Sequence, residues 1–212
     1  MQMVPDFEAG VCQFRYMLKV LKKSTGLAEL IAAAKDQKES AKEALYKFYY
    51  GYLMAVIMRY TRNSNDSEEL VNDSFIRIFQ NLSKFCPPTQ SADLEKAFMG
   101  WIVKISCRIA IDFLRKGKLL TVDEELYDDV HPLINPDVMP HLNAQDILKM
   151  INNLPETQRL IFNMYEIEGF SHEEISRTLN VQENISRVYL GRAKQKLRLL
   201  YQKSTVDSDG TY

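Results

Sequence analysis

Residues Ser171 to Lys194 read SHEEISRTLNVQENISRVYLGRAK. Two helical patterns flank a short polar turn. Ser171 precedes Glu173 and Glu174. This is N-cap chemistry: the hydroxyl satisfies an otherwise free backbone N–H, and the acids favour the positive end of the helix dipole. Ile175 and Leu179 point inward, with small Ser176 where the two helices would touch. Asn180 stands at the turn, where Asn tolerates a left-handed backbone, and Val181 plugs it. Beyond the turn Leu190, Ala193 and Leu197 recur on an inward face, with Asn184, Arg187 and Tyr189 assigned to the opposite one. This is the outline of a helix-turn-helix, whose second helix enters a major groove N-terminus first. Arg and Asn are the side chains that make paired hydrogen bonds to guanine and adenine edges. An ordinary helical hairpin with a solvated basic face has the same spacing, so the stretch alone leaves both readings open.

The charge of the whole chain is at odds with gripping a polyanion: 212 residues carry a formal net charge of −1. Its distribution removes the conflict. From Thr121 to Asp146 there are seven acids (Asp123, Glu124, Glu125, Asp128, Asp129, Asp137 and Asp146) and no Lys or Arg. Pro132, Pro136 and Pro140 recur in the same segment, so it reads as an extended acidic linker. Without it the chain is net +6. Arg187, Arg192, Lys194, Lys196, Arg198 and Lys203 follow Glu183 with no acid between them, and Lys104, Arg108, Arg115, Lys116 and Lys118 oppose only Asp112. Near-neutrality conceals two basic surfaces and an acidic strap.

Composition points to an all-α chain. The apolar fraction is 46%, with only eight Gly and seven Pro, and no β-alternation is long enough to count. Leu27, Leu30, Ile31 and Ala34 share one helical face. Ala41 to Arg62 reads as a longer helix, with Ala44, Leu45, Phe48, Tyr52, Val56 and Met58 to Tyr60 near its buried side. The polar turn NSND follows, with Asn65 or Asp66 as the expected cap of the next helix. Leu70, Val71, Phe75, Ile78, Phe79 and Leu82 form that helix's stripe. CPPTQSAD, Cys86 to Asp93, must be a loop, since paired prolines cannot continue a helix. Leu94 to Lys116 is helical again, with Phe98, Trp101, Ile102, Ile105, Ile109 and Phe113 on or near one side.

Three cysteines (Cys12, Cys86, Cys107) match no zinc or redox spacing, and no two of His131, His141 and His172 are at ligand spacing, so no metal or other cofactor is expected. No window approaches the ~18 apolar residues of a membrane span. Arg15 and Lys19 interrupt any signal-peptide core, so residues 1–24 read as a basic amphipathic helix or an appendage, and the chain as cytoplasmic, with no direct membrane insertion.

Two further motifs admit two readings each. DSEELVND, Asp66 to Asp73, presents Asp66, Glu68, Glu69, Asn72 and Asp73: a docking face for a basic or polar helix, or simply a solvated one. Nothing nucleophilic accompanies these carboxylates, so catalytic residues are not expected. In FMGWIVKISCRIAIDFLRKGK, Phe98 to Lys118, the residues Trp101, Lys104, Arg108 and Arg115 share a face, with Asp112 among them. Rings and cations on one surface suit a single strand, whose bases stack and whose phosphates pair. The bland alternative puts Trp101 in the core and the cations in water.

Taken in order, the three motifs resemble the bacterial sigma-70 family of RNA polymerase sigma factors, of the extracytoplasmic function (ECF) type. DSEELVNDSF is similar to the region-2 signature, and Trp101, Ile105, Asp112 and Arg115 are in register with its second segment. Leu154, Pro155, Arg159, Phe162, Glu168, Gly169, Glu174 and Ile175 match the opening of region 4. The resemblance covers about residues 27–200. It implies residues 25–118 as region 2, 119–143 as the acidic linker, 144–203 as region 4 and 204–212 as a tail. The Glu68–Asp73 helix is then expected to dock on the β′ clamp of core RNA polymerase. The Phe98–Lys118 helix, with the Ser83–Lys96 loop, is expected to melt and hold the minus-ten promoter element. Region 4 is expected to read the minus-thirty-five element through Gln182, Glu183, Asn184, Ser186, Arg187, Tyr189, Arg192 and Lys194 and to touch the β flap. An anti-sigma factor is an implied partner, and the linker would thread the polymerase channels as a nucleic-acid mimic.

The chain departs from the family pattern at several places. Arg108 stands where Asn is frequent, Ser67 and Asn72 replace Ala and Gln, and Tyr189 replaces an arginine. In the recognition helix the inward apolar residue is expected to move from 186 to 185, leaving Ser186 to bond back to a carbonyl one turn earlier. A helical sensor joined to a DNA-binding hairpin, and a protein-binding helical adaptor, are the competing readings.

Overall fold

The computed structural model describes residues 26–61, 63–88, 93–116 and 149–209, with side chains to residue 202. The appendage and the acidic linker expected from the sequence lie outside them. All regular structure among the described residues is helical, in two compact units that divide between Phe113 and Leu114.

The first unit contains α1 (Leu27–Lys35), α2 (Glu39–Ile57), α3 (Ser64–Asn81) and, up to Phe113, α4 (Leu94–Lys116), with a short 3₁₀ turn at Leu82–Lys84. Its centre is built from Leu45, Tyr49, Leu53, Ile57, Tyr60, Ile78, Leu82, Phe98 and Ile102, all essentially without solvent exposure. The second helix is shorter than its periodicity predicts. It ends at Ile57, and residues 58–60 turn. Met58 swings out to 47% exposure while Tyr60 stays fully buried. The cap of α3 also differs from expectation: Asn63 supplies it, accepting from the Asn65 N–H. A buried hydroxyl pair explains the early start. Ser67 donates to the Asn63 carbonyl at 2.8 Å and lies 2.6 Å from the Thr61 hydroxyl.

On α4 the inward row is Phe98, Ile102, Val103, Ser106, Cys107, Ala110 and Ile111. Trp101, Ile105, Ile109 and Phe113, read from the sequence as on or near the buried side, are only half-buried. Small Ser106, Cys107 and Ala110 share the inward side with bulkier Ile102, Val103 and Ile111, so the apolar stripe is wider than the row that is fully buried. The Ser106 hydroxyl is satisfied by the Ile102 carbonyl at 3.0 Å.

The second unit contains α5 (Glu156–Phe162), which runs into a π-helical turn (Asn163–Ile167), then α6 (His172–Leu179) and α7 (Glu183–Asp209). Leu160, Ile161, Met164, Phe170, Ile175, Leu179, Leu190 and Ala193 form its core. Gly169 closes the π turn at φ +71°, a conformation that costs glycine little.

Candidate nucleic-acid and polymerase-docking surfaces

The helix-turn-helix is built as the sequence implies at its first helix and turn. Ser171 and Glu174 form a complete capping box: the Ser171 hydroxyl accepts from the Glu174 N–H, and the Glu174 carboxylate accepts from the Ser171 N–H at 2.9 Å. Asn180 is left-handed, at φ 55° and ψ 46°. Ser176, half-buried, donates to the Val181 carbonyl at 2.6 Å, so the hydroxyl fastens the turn from inside.

The second helix departs from expectation in three respects. First, Ser186 remains the inward residue. It has no solvent exposure, whereas Ile185 is half-buried. Its hydroxyl reaches the Nδ1 of His172 at 2.9 Å rather than a carbonyl of its own helix. The His172 ring in turn stacks on Tyr165, with centroids 4.4 Å apart and planes 25° apart. Helical phase overrides hydrophobicity here: Leu190 and Ala193 fix which side faces in, and position 186 belongs to that side whatever occupies it. A buried hydroxyl left unpaired would cost about 1–3 kcal/mol, and His172 removes that cost.

Second, Asn184, Arg187 and Tyr189 do not share one face, because residues two apart on a helix do not face one another. Asn184 and Arg187 are exposed, while Tyr189 is half-buried on the other flank with the Arg192 guanidinium 5.7 Å from its ring centre. Third, Lys194 binds Glu166 of the π turn at 2.7 Å, about two helical turns beyond Arg187. Gln182 and Glu183 are exposed at the start of α7. Glu183 accepts from Arg187, so the most outward cation of the first turns carries a local counter-charge.

His172 is held below the ordinary imidazole range, chiefly by burial and then by Arg187. Glu183 opposes that shift, and Lys194 adds to it.

In the first unit, Glu68, Glu69, Asn72 and Asp73 are exposed along α3, and Asp66 is half-buried. The structure adds neighbours that periodicity did not single out. Ile76, one turn on from Asn72, is 56% exposed. Tyr46 on α2 donates to the Asn72 side chain at 3.0 Å and packs on Phe75 at 4.6 Å and Tyr50 at 5.4 Å. Burial, the Glu68 charge and Tyr46 all raise the Tyr50 phenol. The acidic face therefore has an aromatic ledge and an apolar knob. An exposed isoleucine on a helix that already has a buried stripe was the available signal, at i+4 from Asn72.

On α4, Arg108, Asp112 and Arg115 are exposed, and Trp101 and Lys104 are half-buried. Their spacing keeps all five on the solvent side of the helix. Trp101 follows neither sequence reading alone. One side packs on Phe85 (5.3 Å) and Phe98 (6.0 Å), which leaves it half-exposed at the edge of the cation row. Phe85, 4% exposed, anchors the loop after α3 and was not recognised from the sequence. An open cleft of about 400 Å³ lined by Tyr52, Glu95, Lys96, Met99 and Gly100 flanks the start of the same helix. Among the described residues no cluster of His, Cys, Asp or Glu is arranged to hold a metal ion, and no helix is long and apolar enough to cross a membrane.

A capped helix-turn-helix in one unit, and an acidic face with an aromatic–cationic helix in the other, define a bipartite DNA-binding architecture. Comparison with known proteins gives the family. Residues 45–119 match Sigma-70 region 2, and residues 144–197 match Sigma-70, region 4. The chain belongs to the sigma-70 family and is a sigma factor of the ECF type, the class that directs RNA polymerase to promoters. It is 27% identical over 181 residues to the ECF RNA polymerase sigma factor SigE of Mycolicibacterium smegmatis, covering 82% of this chain and 66% of that one. It is 20% identical to the ECF RNA polymerase sigma factor SigM of Bacillus subtilis, covering 78% and 98%. Among solved structures, CnrH in complex with the cytosolic domain of CnrY is similar at a TM-score of 0.47, with 18% identity over 82% of this chain and 96% of that one. RpoE in complex with the anti-sigma factor NepR from Bartonella quintana gives 0.48 and 19%, over 76% and 96%.

Proposed function

We propose that this chain initiates transcription by holding core RNA polymerase and two promoter elements at once, with residues 25–118 and 144–203 as its two gripping units. The α3 face, Asp66, Glu68, Glu69, Asn72 and Asp73, docks on the β′ clamp. Ile76 and the Tyr46–Tyr50 ledge supply the desolvated centre that a charged rim lacks. The α4 row then receives the separated minus-ten strand: Trp101 stacks on a base, while Lys104, Arg108 and Arg115 neutralise phosphates. The α7 N-terminus enters the major groove of the minus-thirty-five element with Asn184 and Arg187 foremost. Glu183 has to release Arg187 as DNA arrives, which disfavours binding to any sequence that offers the guanidinium no partner.

The observation that carries this reading is the coexistence of the docking face and the Trp101 row in one unit. A DNA-binding hairpin with a sensor domain has no use for either. The remaining parts of the proposal follow from family membership: work in the cytoplasm, contact of region 4 with the β flap, restraint by an anti-sigma factor, and no chemistry of the chain's own, since the polymerase makes the bonds. A run-off transcription assay with purified core polymerase tests it. Core plus this chain should start at a defined promoter; neither initiation nor core binding on any candidate template would sink the reading.

A further inference from the structure

We propose that His172 is the positioning residue of the helix-turn-helix: its hydrogen bond to Ser186 holds α7 at the rotation about its axis that aims Asn184 and Arg187 outward. This rests on the reading that α7 reads duplex DNA, and it adds the residue that sets the aim.

The geometry is a three-way joint. His172 is the first residue of α6, Ser186 lies at the start of the buried row of α7, and Tyr165 comes from the π turn that precedes both. One imidazole stacks on the last and bonds the second. An apolar residue at position 186 would pack with little preference among nearby rotations, because dispersion is non-directional. A buried hydroxyl with a single partner, at 2.9 Å, is satisfied only over a narrow range of rotation. Arg187 is the next residue along, so a small rotation of α7 moves its guanidinium directly.

The same joint responds to protons. The charges that act on the imidazole are Arg187, Glu183 and Lys194 from α7, and the acids nearest to it along the chain are Glu166 and Glu168, in and just after the π turn, and Glu173 and Glu174 of α6. Of the acids, Glu166 is engaged with Lys194, Glu173 with Arg177, Glu174 with the capping box, and Glu183 with Arg187. An imidazolium would stand at a helix N-terminus, the unfavourable end for a cation, beside Arg187 and Lys194. It would also fix Nδ1 as a donor, so the Ser186 oxygen could only accept there and the buried hydroxyl proton would need another acceptor.

The test uses the full chain bound to core polymerase. A duplex pool randomised over the upstream element yields a selected site, and discrimination is the affinity ratio of that site to a scrambled duplex. His172→Ala and Ser186→Ala should each lower the ratio roughly tenfold, as expected when a buried hydrogen-bonding partnership is lost, with scrambled-duplex binding little changed. The double variant should be no worse than either single one, because both remove the same bond. His172→Asn, whose amide reaches the place of Nδ1, should restore most of the ratio. Between about pH 7 and pH 5, where an imidazole held below its ordinary range takes up its proton, the wild-type ratio should fall while that of His172→Asn stays level. Added positive charge alone would strengthen DNA binding, so the fall has the opposite sign to a generic effect. Unchanged discrimination in His172→Ala and Ser186→Ala, with Arg187→Ala still abolishing it, overturns the proposal and spares the DNA reading. If Arg187→Ala is also without effect, the DNA reading itself fails. Should His172→Ala not fold, Ser186→Ala and His172→Asn decide the matter on the same ratio.

Discussion

Lys35 and Phe85 are joined although 50 residues separate them: the ammonium donates a 2.8 Å hydrogen bond to the Phe85 carbonyl and stands 5.9 Å from the centre of its ring. The end of α1 thereby fastens the loop that leaves α3, and Phe85 carries that restraint to Phe98 and Trp101 on α4. The half-exposed tryptophan at the head of the cation row is held from behind by this chain of contacts.

Phe85→Ala should therefore reduce the stability of the first unit by about 3–5 kcal/mol, as truncation of a buried ring does. Lys35→Met should cost only about 1 kcal/mol, the net value of one hydrogen bond. Urea unfolding followed by Trp101 fluorescence measures both. An unchanged midpoint for Phe85→Ala would show that the loop is not anchored through this ring.

Ile76→Lys separates docking from folding. The side chain is 56% exposed, so stability should change by no more than about 0.5 kcal/mol. Affinity for core polymerase should drop by at least about 1 kcal/mol, since an apolar contact inside a docking face is lost. Titration of labelled protein with core enzyme reads this out, and equal affinity would remove Ile76 from the interface.

Glu183 and Arg187 should act in opposite directions. Arg187→Ala should weaken binding to the cognate upstream element by about 1–3 kcal/mol, the value of a base-reading guanidinium, and leave polymerase binding intact. Glu183→Gln, which frees Arg187 of its counter-charge, should raise affinity for DNA of any sequence and steepen its dependence on salt. Fluorescence anisotropy over a salt series distinguishes the two. A weaker Glu183→Gln complex would instead make the carboxylate a direct reader of cytosine.

Protonation should destabilise the second unit in mild acid. His172 binds its proton less readily folded than unfolded. The unfolded chain therefore holds more protons between the two values, and stability falls as pH drops below the ordinary imidazole range. Above that range both states are neutral and the effect vanishes. Thermal melting of wild type and His172→Asn at about pH 7.5 and pH 5.5 checks the sign; equal acid losses would exclude His172 as the group responsible.

The local rules were written plainly in the chain. Ser171 announces an N-cap, Asn180 a left-handed turn, and Leu190 and Ala193 the inward side of α7, because each depends on backbone geometry within a few residues. The exposed acidic row of α3 and the cation row of α4 were legible for the same reason, since periodicity is a one-dimensional signal. Periodicity identified the apolar stripe of α4 but not which edge of it packs inward. The folded unit buries Val103, Ser106, Cys107, Ala110 and Ile111 and leaves Trp101, Ile105, Ile109 and Phe113 half-buried.

Whatever depended on distant partners was invisible. Phe85 looked like part of a loop until Lys35, Phe98 and Trp101 surrounded it. Ser186 looked like a displaced apolar position, because hydrophobicity was the only guide available in one dimension. In the folded unit the phase of α7 buries it regardless, and the polar cost is met by His172, fourteen residues away. Sequence alone thus determined the helical elements, the Ser171 cap and the family the chain belongs to. The tertiary structure decided which side chain satisfies which, because a hydrogen bond between buried groups is set by the packing of whole helices.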